Sequence, residues 1–288
     1  MSRTNTLPTP LVSTAWLAEH LDEPMLRVID ASTYLASANR SAWDEYDTAH
    51  IPGAVFLDID MLSDERALYP HTLPAPDVVA ARLGARGIGS EHAVVVYDGS
   101  GQNFSAPRVW WMLRTMGHER VAVLDGGFPK WQREGRAVSR DLPLHEPAKF
   151  VPLFDRTRWR DLKSMKNSVA TGTEQVVDAR SPGRFQAAEP EPRPGVRGGH
   201  IPGARNVHYA TLVDATGVVK PAAELQAQFA AAGVHLNEPI VASCGSGLTA
   251  CAVLLALDVA GATHTALYDG SWTEWGSQPD TPVETGPA

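Results

Sequence analysis

The chain of 288 residues repeats itself, and the repeat limits what it can fold into. His50-Ile51-Pro52-Gly53-Ala54 returns as His200-Ile201-Pro202-Gly203-Ala204. Val28-Ile29-Asp30-Ala31 returns as Val176-Val177-Asp178-Ala179, and Leu124-Asp125-Gly126 with Trp131 returns as Tyr268-Asp269-Gly270 with Trp275. Each echo lies about 150 residues after its original, which is the size of a domain. Two like domains are therefore expected, each large enough to bury its own core. Their boundaries read as 10–138 and 155–284, joined by a polar linker at 139–154 that carries Pro143 and Pro147.

Within each half, short apolar runs alternate with helical patterns. Strands are expected at 26–29, 94–97 and 121–124, and again at 175–177, 240–243 and 265–268. Helices are expected at 14–21, 76–86, 106–116, 222–232 and 247–260. Strands alternating with helices predict an α/β fold, a parallel sheet with helices on both faces. The Pro-rich stretch 181–199 is too long for a simple connection, and long ordered loops are often functional.

The halves differ at one place. In the second, Ile240-Val241-Ala242-Ser243 leads into Cys244-Gly245-Ser246-Gly247-Leu248-Thr249-Ala250. In the first, Val94-Val95-Val96-Tyr97 leads into Asp98-Gly99-Ser100-Gly101, so Asp98 stands where Cys244 stands. Features common to both halves serve the common fold. His50 and His200, Asp30 and Asp178, and Asp125 and Asp269 are read as structural on that ground. Features confined to one half are the functional candidates, and Cys244 leads them. A cysteine where a strand ends and a helix begins faces backbone N–H groups and the positive end of the helix dipole, which favour thiolate over thiol. Gly245 and Gly247 let the loop curl its amides inward. Cys251 falls in an apolar helical run and reads as core. The two cysteines are expected on one helical segment, roughly 10 Å apart at the helical rise, which is too far for a disulfide.

The net charge of −8 argues against nucleic acid as a partner, and an anionic substrate needs local positive charge to bind. Arg184 and Arg193 can supply it, since a guanidinium fork matches a planar carboxylate. Surface ion pairs with Glu189 and Glu191 are the plainer use of both arginines, and Arg180 competes for the carboxylate. Ser246 can cap the following helix. Thr249 reads as a helix or loop hydrogen-bonder. Trp110, Trp111, Trp131, Trp272 and Trp275 read as core and interface aromatics. No apolar run approaches the ~20 residues of a membrane helix. The polar start at 1–10 lacks a secretory core, so a reducing cytoplasm is expected. No P-loop, H-E-x-x-H or C-x-x-C pattern occurs, so neither a nucleotide cofactor nor a metal is expected.

Together, the duplicated H-I-P-G-A, Ser105-Ala106-Pro107-Arg108-Val109-Trp110-Trp111, the D-G-G and D-G-S-W segments and the cysteine loop resemble the two-domain rhodanese-type sulfurtransferases. The resemblance implies tandem rhodanese-like domains, the first non-catalytic and the second catalytic through a cysteine persulfide. C-G-S-G-L-T-A is similar to the loop of the family's mercaptopyruvate-using members. Those usually have Val at the position of Leu248, and thiosulfate-preferring members have Arg and Lys where this chain has Gly245 and Ser246. The resemblance implies that Gly245, Gly247, Leu248 and Thr249 surround the donor and that Arg184 and Arg193 hold its carboxylate. It implies that Ser246 relays protons, and that Asp60 and His71 reach across from the first half, Asp60 to pair with Ser246 and His71 to orient the substrate. The expected reaction moves sulfur from 3-mercaptopyruvate to cyanide or a thiol such as thioredoxin or a small thiol, releasing pyruvate. A thiosulfate-preferring enzyme and a non-catalytic sulfur-carrier or binding scaffold are the alternatives. A cysteine phosphatase of related fold needs Arg six residues beyond the cysteine, where this chain has Ala250.

Overall fold

The computed structural model describes residues 7–35 and 38–288, so most of the polar start read at 1–10 lies outside the described residues. The chain forms two compact units. The first gathers Met1–Glu65, Leu73–Asp155 and Val213–Val219, and the second Arg66–Thr72, Arg156–Leu212 and Lys220–Ala288. The segment 139–154, read as a linker, lies along the first unit: Ser139 bridges to His50, and the Ala148 and Leu153 amides donate to the Gly84 and Met116 carbonyls. The short piece that carries His71 belongs to the second unit, although it comes from the first half of the sequence.

The first unit runs β1 (Leu11–Val12), α1 (Thr14–His20), β2 (Leu26–Asp30), α2 (Ala42–Thr48), β3 (Ala54–Phe56), α3 (Pro76–Gly84), β4 (Ala93–Tyr97), α4 (Ala106–Thr115), β5 (Val121–Leu124) and α5 (Gly127–Arg133). The second runs β6 (Trp159–Arg160), α6 (Leu162–Thr171), β7 (Gln175–Asp178), α7 (Pro182–Phe185), β8 (Arg205–Asn206), α8 (Ala222–Ala231), β9 (Ile240–Ser243), α9 (Ala250–Ala260), β10 (Thr265–Tyr268) and α10 (Ser271–Ser277). Both sheets are five-stranded and parallel throughout, in the orders β1-β5-β4-β2-β3 and β6-β10-β9-β7-β8. The two orders are the same topology written twice, as the duplication requires.

The apolar strands explain the layering. Every residue of β4 and of β9 is buried, so neither face of either sheet meets water. Side chains alternate along a strand. Leu26, Val28, Val95, Tyr97, Ala122 and Leu124 share one face and pack with Leu17 of α1 and Trp131 of α5. Val94, Val96, Val121 and Val123 point to the other face, which α4 covers. In the second unit, Val176, Val241, Ala266 and Tyr268 pack with Met165 of α6 and with Trp272 and Trp275 of α10. Its other face is covered by α9, whose sequence is apolar nearly all round because α8 covers it in turn.

The residues shared by both halves are structural. The His50 ring is buried, stacks on Tyr46 at 4.1 Å and meets the Tyr46 carbonyl through Nδ1 at 2.7 Å. His200 repeats this with Phe185, at 3.7 Å between rings and 2.9 Å to the carbonyl. Asp178 pairs with Arg180, whereas Asp30 accepts from the Ser32 amide. Burial pushes the Asp30 carboxyl up to about 6, against hydrogen bonds from Ser32 and Tyr97 that pull the other way.

The sign of the resulting pH dependence follows from linkage. A carboxyl with a raised pKa keeps its proton in the folded state after the unfolded chain has lost it. Asp30 therefore favours folding below the ordinary carboxylate range, and that advantage is lost as the pH rises through about 6. Replacing it with Asn should stabilise the protein at pH 7.5 by on the order of 2 kcal/mol and leave it nearly unchanged near pH 4. Thermal denaturation of the parent and Asp30→Asn at the two pH values checks this; an equal difference at both would contradict it.

Candidate active site

The strand register places the Asp98 and Cys244 loops at equivalent positions in the two sheets. Tyr97 pairs with Asp30 at the end of β4, and Ser243 pairs with Asp178 at the end of β9. Asp98 and Cys244 each follow, at the C-terminal edge of a parallel sheet, where ligands of such folds gather.

In the first unit the loop is filled from within. The Asp98 carboxylate accepts the Ser100, Ser105 and Ala106 amides at 2.9 Å each, and Ala106 opens α4. An acidic side chain thus occupies the anion site that backbone amides and a helix N-terminus create. In the second unit Cys244 is 1% exposed, and the amides of Gly245, Ser246, Leu248 and Thr249 meet no acceptor among the described residues. The loop that holds a carboxylate in one copy presents a thiol in the other.

The local backbone departs from expectation. Gly247 has φ +77°, in the left-handed region, and α9 opens only at Ala250. Cys244 therefore precedes the helix and Cys251 lies in it, which corrects both the helix read over 247–260 and the reading of the two cysteines on one helical segment. Ser246 is not the helix cap; that place falls to Thr249, whose side chain makes no capping bond. Leu248 is buried beside it. Cys251 is core, as expected, and its Sγ donates to the Gly247 carbonyl at 3.4 Å.

The start of the loop is bolted to α10. The Trp272 and Thr273 amides donate to the Cys244 and Gly245 carbonyls at 2.9 Å each, and the Thr273 hydroxyl also donates to the Gly245 carbonyl, at 2.5 Å. The Cys244 amide donates to Ser271 Oγ at 3.2 Å, and that hydroxyl donates in turn to the Tyr268 carbonyl at 2.8 Å. Ser271 has φ +50°, a region that a residue with a Cβ occupies at a cost. Its counterpart, Gly127, has φ +56°. Sequence reading missed Ser271; its signal is the change from D-G-G to D-G-S in an otherwise repeated segment.

Three more candidates gather here. Ser181 caps the short helix α7, and Phe185 anchors it in the core, fixing Arg184 between them. The Arg184 guanidinium lies over the loop: a Cβ placed on Gly245 would stand 3.0 Å from Nη2. Arg184 also pairs with Glu191, Nη2 to Oε2 at 2.6 Å and Nε to Oε1 at 3.3 Å. The ion-pair reading of this arginine and its placement at the loop are thus both true. Arg193 pairs with neither Glu189 nor Glu191; its Nη1 reaches Thr273 Oγ1 at 3.5 Å, next to Gly245. His71 has φ +60°, and its Nδ1 meets Ser246 Oγ at 2.8 Å. The segment around it is tied down by the Gln278–Tyr69 and Thr72–Tyr69 hydrogen bonds.

Arg180 is not a substrate arginine. It is buried, bidentate on Asp178, bonded to Glu191 and to the Gly199 carbonyl, and stacked 4.5 Å from the Trp272 ring centre. Asp60 opens a one-turn 3-10 helix of the first unit, its amide bonded to the Asp58 carboxylate. The partner of the Ser246 hydroxyl is His71, the residue expected to orient the substrate. Among the described residues no cluster of His, Cys, Asp and Glu could hold a metal, and no helix is long and apolar enough to cross a membrane.

Comparison with known proteins agrees with the duplicated fold. The profile of the rhodanese-like domain matches residues 13–134 and again 161–278. A 3-mercaptopyruvate sulfurtransferase of Escherichia coli is 43% identical over 279 residues, covering 96% of this chain and 98% of its own. The mitochondrial thiosulfate/3-mercaptopyruvate sulfurtransferase 1 of Arabidopsis thaliana is 41% identical, over 96% of this chain and 78% of its own. The crystal structure of a 3-mercaptopyruvate sulfotransferase from Escherichia coli superposes with a TM-score of 0.84 at 40% identity, over 92% of this chain and 99% of that one.

The strain and the hydrogen bond at Ser271 can be separated. Ser271→Ala leaves the left-handed backbone and orphans the buried Cys244 amide, at a cost of about 1–3 kcal/mol. Ser271→Gly loses the same bond but relieves the strain, so it should be more stable than Ser271→Ala by about 1 kcal/mol. Equal thermal stability of the two variants would contradict the strain.

Proposed function

The chain belongs to the rhodanese family, and from that premise we propose that it is a 3-mercaptopyruvate sulfurtransferase acting through a persulfide on Cys244. The observation that carries this reading is one loop with a buried thiol at its start, open amides behind it and the Arg184 guanidinium above Gly245.

The donor brings one carboxylate, a ketone and a thiol. Arg184 and Arg193 take the carboxylate. The Cys244 thiolate attacks the donor sulfur, forming an S–S bond and breaking the C–S bond. The electron pair of that bond passes to carbon, leaving the enolate of pyruvate. The proton from the donor thiol moves to that carbon through Ser246 Oγ and His71, which are already hydrogen-bonded. The products are pyruvate and a Cys244 persulfide anion, with charge and protons conserved. The amides of Gly245, Ser246, Leu248 and Thr249 hold the anion, as Asp98 is held in the other copy. Cyanide then takes the outer sulfur as thiocyanate, or a thiolate takes it as a new persulfide, and Cys244 is restored. Asp60 stays a candidate for the proton relay on the strength of the resemblance alone. Small thiols and thioredoxin are acceptors of suitable chemistry, and a reducing cytoplasm suits a chain with two buried thiols.

Thiosulfate is the second donor to consider, because the Arabidopsis relative carries both donors in its name. Its two negative charges suit a more cationic loop than Gly245-Ser246 provides.

Steady-state assays with both donors, reading pyruvate and thiocyanate, test the proposal. Mercaptopyruvate should be preferred, and Cys244→Ser should abolish turnover. Arg184→Ala should raise KM for mercaptopyruvate about tenfold or more while changing sulfur discharge to cyanide little. Equal loss in both half-reactions would remove Arg184 from donor binding.

A further inference from the structure

We propose that Glu191 sets the charge of this site, and with it the class of donor: it neutralises Arg184, so that the loop carries a net charge of +1 matched to one carboxylate rather than to a compact dianion. The inference rests on the sulfurtransferase reading above.

The charges that line the site alternate. Asp178 holds Arg180, Arg180 holds Glu191 at 2.7 Å, and Glu191 holds Arg184 at 2.6 Å. Two acids and two bases cancel along this chain. Arg193 makes no ion pair among the described residues, so of the arginines at the loop it is the one whose charge is not compensated; Glu189, bonded to Ser181, is exposed and screened by solvent. The Glu191 side chain is 4% exposed, against 25% for Arg184. Its other oxygen is bonded to Arg180, a side chain 1% exposed and packed on Trp272, so an arriving anion cannot readily push it aside. Glu191 also decides which part of Arg184 faces the substrate. It occupies the Nε and Nη2 edge and leaves the Nη1 end for a carboxylate.

The duplicate repeats the device. In the first unit Arg40 donates to the Gly99 carbonyl at 3.2 Å and is held by Glu45 through Nε and Nη2, at 2.7 Å each. Gly99 stands where Gly245 stands. An arginine over the loop, held by a neighbouring glutamate, is thus common to both copies and is part of the shared fold; the thiol and Arg193 belong to the second only, so the pair can bear on a donor only there. Glu191 acts through Arg184 and touches no reacting atom, which makes it a positioning residue.

The test compares donors and anions in Glu191→Gln, with Glu191→Asp as the conservative variant. In Glu191→Gln the ratio of kcat/KM for thiosulfate to that for mercaptopyruvate should rise roughly tenfold, the change residing in KM. In Glu191→Asp it should stay within about twofold of the parent. Calorimetric binding of sulfate and of pyruvate to the same proteins gives the same ordering without turnover, sulfate gaining roughly tenfold over pyruvate in Glu191→Gln. A ratio unmoved in Glu191→Gln, with both donors or anions weakened alike, would reduce Glu191 to a structural ion pair and overturn the inference. Should Glu191→Gln fail to fold, Glu191→Ala decides by the same ratios. A parent that binds both anions but releases no pyruvate from mercaptopyruvate would sink the sulfurtransferase reading, while the binding ratios still judge Glu191.

Discussion

The turn that follows the central strand of each sheet carries Asp98 in one unit and Cys244 in the other, and the proposed chemistry depends on that difference. In the first unit the Asp98 carboxylate, a permanent internal anion, satisfies the Ser100, Ser105 and Ala106 amides. In the second the Cys244 thiol is followed by amides that remain open. Amides satisfied by a carboxylate in one unit and left without an acceptor among the described residues in the other are what the proposed persulfide anion would use.

The surroundings of Cys244 are arranged to keep the loop still. Helix α10 clamps the Cys244 and Gly245 carbonyls, and Ser271 accepts a left-handed backbone in order to receive the Cys244 amide. Strain of this kind persists only where neighbours over-determine it, and here the neighbours are Trp272, Trp275 and the Tyr268 carbonyl. The alternating acids and bases from Asp178 to Arg184 do for charge what α10 does for shape. They place a guanidinium over Gly245 and cancel most of its field.

Much of this was legible in the sequence, for reasons that are local. The central strands β4, β5, β9 and β10 are continuous apolar runs, and the duplication showed which residues both halves share. The edge strands β1, β6 and β8 are two residues long and leave no periodic signal. The start of α9 was misplaced because the apolar run after Ser246 looks continuous, whereas Gly247 breaks the helix at its first turn. Ser271 escaped notice because its role comes from a contact made across the fold, 27 residues from the amide it accepts, and Glu191 was legible only as a surface ion-pair partner because its burial and its bond to Arg180 were not. Ser246 was legible as a residue of interest, but its bond to His71, 175 residues away, was not.

The most direct measurement is the intact mass and peptide map of the protein after mercaptopyruvate is added without acceptor. The account predicts one added sulfur atom, carried on the peptide with Cys244, together with one equivalent of pyruvate. An unmodified Cys244, or sulfur found on Cys251 instead, would contradict it.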